Sequence, residues 1–320
     1  MKRFSIHFII VGLIVFLITA NGPLKTWAQE TDGFESRPVN IWSDGTRLSG
    51  DLFYPKGLKE GDKLPAIILC HGWGGVRIRL NEYAPLFAKA GYVVLTFDYR
   101  GWGDSDSRLV IKGKMPAPDE NGEITVRAKA IRELVDPRDQ IEDIINCINF
   151  ISGEPIADPE RIGLWGTSYA GGHVVRVAAH DSRVKCIVTQ VGSFHNRWVP
   201  KPIAFKQAAD RARGVIDPVP QGVDKPANLK GTPHRSRMAD HNPIDFVDRL
   251  KIPVLIIDAE NDEFNKTTEN GHLLYELVKD KVPAKYELIP GITHFEIYSK
   301  GHPQAFKLTI MWYDEHLKKK

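Results

Sequence analysis

The sequence predicts an α/β protein: a mostly parallel sheet with helices on both faces. Three observations predict it. Short continuous apolar runs (Pro65 to Cys70, Tyr92 to Phe97, Ile252 to Ile257) suit strands buried on both faces. Segments of helical period separate them, clearest where Ile141, Ile144, Ile145, Ile148 and Ile151 mark one stripe. Polar clusters follow the ends of the runs, where open parallel sheets carry their sites.

Taken in order, residues 1–28 stand apart. Met1, Lys2 and Arg3 give a positive start, Phe8 to Ala20 is almost wholly apolar, and Thr26 to Ala28 offers small residues at a cleavage spacing. This reads as a secretory signal peptide, and so as an exported protein, secreted or periplasmic, with no stable membrane insertion once the segment is removed. An uncleaved anchor is the alternative, although the apolar run is short for a full span. The mature chain is then 29–320.

Val39 to Ser43 and Arg47 to Tyr54 flank Asp44-Gly45, a hairpin signal. The strand Pro65 to Cys70 ends in His71, Gly72, Trp73, Gly74 and Gly75. A helix is expected over 78–90, stopped by Gly91. The strand Tyr92 to Phe97 follows, then Asp98 to Ser105, which lacks the lysine of a phosphate-binding loop and reads as structural. Residues 107–135 form a long, turn-rich insertion. Asp136 and Pro137 open a helix as N-cap and first-turn residue, and Gly153 closes it. A strand over 162–165, a helix over 169–180 and a strand over 184–191 come next. A second insertion, 194–250, is basic on balance. The strand ending at Ile257, a helix over 270–280, a strand over 286–289 and a terminal helix over 301–320 complete the chain.

Composition narrows the function. A net charge of +3 over 320 residues, with no basic stripe and no P-loop, excludes nucleic acid as the expected partner. Cys70, Cys147 and Cys186 each sit in an apolar pattern and read as buried thiols. No Cys/His cluster has zinc-ligand spacing.

Arg161 to Gly172 reads as strand, tight turn and small-residue helix, with Ser168 at the turn. It approaches the G-x-S-x-G nucleophile elbow, with Gly166 two before the serine and Ala170 where the pattern has glycine. A serine hydroxyl needs a base to take its proton, and the base needs a carboxylate to hold its tautomer. The order Ser, acid, His places the base after the last strand, at His294. Asp258, Glu260 and Asp262 all follow the preceding strand. Asp258 is expected at the strand end, capping the turn, and Asp262, one turn further, is favoured as the acid over both others. An oxyanion needs N–H donors, expected from Tyr169 at the helix start and from Trp73 in the glycine-rich loop.

These segments, in this order, resemble the α/β-hydrolase family, and most of all its dienelactone-hydrolase-like branch, which borders the X-prolyl peptidases and acetyl esterases. The resemblance covers nearly all of the mature chain. It implies an eight-stranded sheet, no cofactor, and hydrolysis through an acyl-enzyme with Ser168, Asp262 and His294 as triad; no metal site is expected. The expected substrate is a small-molecule ester. A peptidase or amidase on the same triad is the alternative, and an inactive binding protein of the same fold a third reading. Insertions 107–135 and 194–250 are expected to cap the site. Trp198, Phe205, Lys206, Arg211, Arg213, Arg235 and Arg237 point either to an anionic or aromatic acyl group or to a solvated basic lid.

Overall fold

Each of the eight strands expected from the sequence forms, and they share one sheet with a ninth. The computed structural model describes residues 29–31, 33–220 and 228–318, so the proposed signal peptide lies outside the described residues. The sheet strands are β1 (Gln29–Thr31), β2 (Phe34–Ser43), β3 (Thr46–Pro55), β4 (Leu64–Cys70), β5 (Val93–Phe97), β9 (Ala157–Thr167), β10 (Val184–Gln190), β12 (Val254–Asn261) and β13 (Ala284–Thr293). Short strands β6 (Leu109–Ile111), β7 (Ala128–Ala130), β8 (Leu134–Val135) and β11 (Thr232–Pro233) belong to the insertions. The helices are α1 (Arg77–Leu80), α2 (Ala84–Lys89), α3 (Pro137–Ser152), α4 (Tyr169–Ala178), α5 (Lys201–Ala212), α6 (Arg235–Met238), α7 (Gly271–Val278) and α8 (His302–Tyr313). Among the described residues, no helix is long and apolar enough to cross a membrane.

The sheet order is β1-β2-β3-β5-β4-β9-β10-β12-β13. The six strands from β5 to β13 are mutually parallel, and β1, β2 and β3 join antiparallel at one edge. The chain moves from β4 outward to β5, then returns to lay β9 on the other side of β4. The loops after β4 and β9 therefore leave side by side at their carboxyl ends, the crevice that a change of winding direction opens.

Strand alternation divides the core. Ala66, Ile68 and Cys70 pack with α3, α4 and α7 on one face, while Ile67 and Leu69 pack with α2 and α8 on the other. All five are fully buried, as an apolar strand covered on both sides requires. The three cysteines are buried free thiols.

Several boundaries differ from expectation, among them four that bear on the sheet and the site. The ninth strand, β1, pairs antiparallel with β2 through residues whose polar sequence gives no strand signal. The helix expected over 78–90 is two helices. Asn81 caps the first, its side-chain amide donating to the Asp51 carboxylate (2.7 Å) and accepting from the Thr96 hydroxyl (2.6 Å), and α2 begins at Ala84 with Pro85 in its first turn. Strand β12 runs on to Asn261 because its parallel ladder with β13 continues past Ile257. Asp258 therefore lies inside a strand, buried against Gly271 at the start of α7, and caps no turn. For the same reason β13 extends to Thr293, placing the next residue, His294, at the strand's carboxyl end.

Candidate active site

Strand β9 delivers Ser168 at its carboxyl end, and α4 starts at the next residue. Ser168 has φ +54° and ψ −124°, a conformation that L side chains rarely adopt. The surroundings hold it there. Its N–H donates to the Gln190 carbonyl (2.8 Å), and its carbonyl accepts from the N–H groups of Gly171 (2.9 Å) and Ser193 (3.1 Å). Strain of about 1–3 kcal/mol persists only when neighbours over-determine the backbone in this way.

The turn is tight enough to dictate glycines. A Cβ on Gly166 would stand 2.8 Å from the Ala170 carbonyl carbon and from Val174 Cγ1. The Ala170 methyl fits because it is buried elsewhere in the core. Steric demand passes instead to Gly171, whose Cβ would stand 2.7 Å from Gly192 Cα. Opposite the turn, Gly72 comes so close that a Cβ there would stand 2.7 Å from Ser168 Cβ and 2.8 Å from the Thr167 carbonyl oxygen. The glycine-rich loop after β4 thus lies directly on the serine, with Trp73 the next residue. The Trp73 ring packs edge-on against Tyr169 at 5.4 Å.

His294 reaches the same point from β13. Its Nε2 lies 3.0 Å from Ser168 Oγ, and its Nδ1 lies 2.8 Å from Asp262 Oδ2. The side chains of His294 and Asp262 are only 4% and 1% exposed, so water competes little for either bond. Asp262 is itself oriented: its Oδ1 accepts from the N–H groups of Phe264 and Asn265, both at 2.8 Å.

The other carboxylates have different work. Glu260 accepts from the Gly291 N–H (2.8 Å), and Glu263 accepts from the His294 N–H (3.0 Å). Together the acidic loop ties down the backbone that carries the imidazole. Glu263 escapes a sequence reading because accepting a backbone N–H leaves no pattern. Burial, and then the charge of Asp262, push the Asp258 carboxyl up to about 7. His71 bonds its own loop through Nδ1 and the Gly72 carbonyl (3.1 Å), and burial lowers its pKa.

A cavity of about 840 Å³ opens over Ser168 and His294. Insertion 194–250 supplies described lining residues, among them His195, Trp198 and Lys230, while insertion 107–135 supplies none. Of the two insertions expected to cap the site, only 194–250 lines this cavity with described residues. Residues 107–135 fold into the β6–β7 hairpin and clip onto α3, where Arg108 pairs with Asp139. Arg237 of the second insertion pairs with Asp136 on the same helix start and reaches Asp139 at 3.5 Å. Strands β8 and β11 join the two insertions directly. Lys206 bonds Asp210 (2.6 Å) and Arg211 the Asp217 carbonyl (2.7 Å). Among the seven aromatic and basic residues weighed as acyl-group contacts or a solvated lid, Trp198 alone lines the cavity.

Two family models match this chain. X-Pro dipeptidyl-peptidase (S15 family) matches residues 44–211, and the prolyl oligopeptidase family matches residues 136–320. Each spans more than half of the chain, and they overlap through the serine turn and α4. The chain belongs to the α/β hydrolases. A 31.7 kDa protein of the traX-finO intergenic region of Escherichia coli is 30% identical to this α/β hydrolase, over 85% of this chain and 98% of its own. Thiohydrolase aneE of Aspergillus aculeatus is 33% identical over 50% of this chain and 44% of its own. The crystal structure of hypothetical protein PA2218 from Pseudomonas aeruginosa has the same fold, with a TM-score of 0.68 at 21% identity, covering 90% of this chain and 95% of that one. Hydrolysis is the chemistry of this family.

Proposed function

We propose that this α/β hydrolase is an exported serine esterase, and the observation that carries the proposal is the unbroken contact from Asp262 through His294 to Ser168. As Ser168 Oγ attacks an ester carbonyl, His294 Nε2 takes its proton and Asp262 stabilises the imidazolium. The carbonyl oxygen, now negative, is held by the N–H groups of Tyr169, at the helix start, and Trp73. The C–O bond then breaks and His294 protonates the departing alcohol. Water, activated by the same imidazole, cleaves the acyl-enzyme and restores Ser168.

A second reading, amide cleavage, is favoured by the two peptidase family models. The cavity supports the ester reading. Glu82 is the one non-triad carboxylate among its described lining residues, and it stands 3.9 Å from Arg79, so a substrate ammonium would share it with a cation. Ser168→Ala should lower turnover of 4-nitrophenyl esters by about 10⁴-fold or more and abolish fluorophosphonate labelling, with the fold intact. Retained turnover would remove Ser168 as nucleophile. Faster cleavage of aminoacyl-proline anilides than of esters would favour the peptidase. Export rests on the leader pattern of residues 1–28, and mass spectrometry of the mature protein should find Gln29 first. An intact Met1 on membrane-bound protein would favour the anchor.

A further inference from the structure

The cavity over Ser168 has two aromatic walls, and each stands beside a different reacting group. On one side Tyr169, Trp73 and Trp198 form a continuous row, with ring centroids 5.4 and 6.2 Å apart. Arg235 lies over the Trp198 ring at 5.6 Å and steadies the end of the row. On the other side Phe264 and Phe295 pack edge-on against His294 at 5.1 and 5.4 Å and against each other at 5.4 Å. Trp198, Phe264 and Phe295 remain 45%, 38% and 52% exposed, apolar surface turned toward the cavity they line.

Charge is nearly absent from these walls. The charged lining residues among those described, histidines aside, are Arg79, Glu82 and Lys230. Arg79 and Glu82 face each other at 3.9 Å, and Lys230 is held by Glu133 at 2.7 Å. Burial lowers the pKa of the cavity imidazoles His71 and His195, which keeps both neutral near pH 7. No anionic acyl group finds an unpaired cation among these residues. A volume of about 840 Å³ also far exceeds what an acetyl ester fills.

The chemistry sets which wall meets which half of the substrate. The leaving oxygen must lie at His294 Nε2, because that nitrogen protonates it, so the alcohol half runs past Phe264 and Phe295. The carbonyl oxygen must face the Tyr169 and Trp73 N–H groups, and with the alcohol on the His294 side the acyl half is left the opposite wall, Trp73 and Trp198. We infer that the substrate is an uncharged ester with a flat, bulky apolar acyl group seated on the Trp73–Trp198 row and an apolar alcohol seated on Phe264 and Phe295. This rests on the serine-esterase reading above.

The test uses the full chain and three esters: methyl 2-naphthoate, 2-naphthyl acetate and methyl hydrogen succinate. Wild type should favour methyl 2-naphthoate over the charged succinate in kcat/KM. Trp198→Ala should lower the ratio of kcat/KM for methyl 2-naphthoate to that for 2-naphthyl acetate about tenfold, and Phe295→Ala should raise the same ratio about tenfold. Opposite shifts support the assignment of the two walls, since loss of fold or of triad geometry would move both esters alike. Equal shifts, or none, overturn it, as does a preference for the succinate. Ester turnover with Ser168 labelling but no such selectivity would remove this inference alone. No turnover of any ester and no labelling would remove the esterase reading with it.

Discussion

A methyl group added at Gly72 tests whether the loop after β4 and the serine form one reacting surface. The Cβ of Gly72→Ala would stand 2.7 Å from Ser168 Cβ, 2.8 Å from the Thr167 carbonyl oxygen and 3.3 Å from Ser168 Oγ, where ordinary contact begins at 3.4 Å. The two backbones must part by about 0.7 Å. If the serine gives way, its 3.0 Å bond to His294 lengthens past hydrogen-bonding range. If the loop gives way, the Trp73 N–H retreats from the oxyanion. Either displacement approaches the ångström that costs about 10²-fold at a reacting centre. Overpacking should cost about 1–3 kcal/mol of stability, small enough for the variant to stay folded. We therefore expect Gly72→Ala to lower kcat for a 4-nitrophenyl ester about 10²-fold, with little change in KM and a melting temperature lowered by several degrees. A folded variant within threefold of wild-type kcat would refute the reasoning, because neither the serine nor the loop would then be set by the contact.

Two other substitutions separate the carboxylates by role. Asp262→Asn should cost about 10³- to 10⁴-fold in kcat/KM, since an amide cannot stabilise the imidazolium, whereas Glu260→Gln keeps an acceptor for Gly291 and should stay within about threefold. The reverse order would move the acid to Glu260. Asp258→Asn should change how stability depends on pH. The carboxyl titrates near 3.8 unfolded and near 7 folded, so below about pH 4 both states are protonated. Between pH 4 and 7 the unfolded chain ionises first, and wild type loses stability as pH rises. The melting temperature of Asp258→Asn relative to wild type should climb across that window and level off above pH 7. A difference that is flat with pH would refute a buried, protonated Asp258.

Much of the molecule was legible because buried parallel strands and their loops write different patterns. Ser168 and His294 could be placed because each follows an apolar run at a carboxyl end, and Asp262 because its loop comes between them in order. What escaped detection was set by contacts between distant residues. The extension of β12 through Asp258 depends on its partner strand, since polar residues inside a ladder look like a loop until pairing is known. At the end of α1, Asn81 bonds Asp51 and Thr96 across the fold, contacts that a local pattern does not carry. Alanine at 170 departs from the elbow pattern, yet the crowding of α4 falls at Gly171, where the loop after β10 presses. The cap was expected from insertion length alone, and length does not say which way a segment folds.

The clip at the start of α3 ties the insertions to one support. Asp136 and Asp139 are shared by Arg108 from the hairpin and Arg237 from the segment over the cavity, and β8 and β11 fasten one to the other. The hairpin lines none of the pocket, yet it is fastened to the segment that does. Asp136 and Asp139 thus form one anchorage for two segments, of which only the second borders the pocket among the described residues.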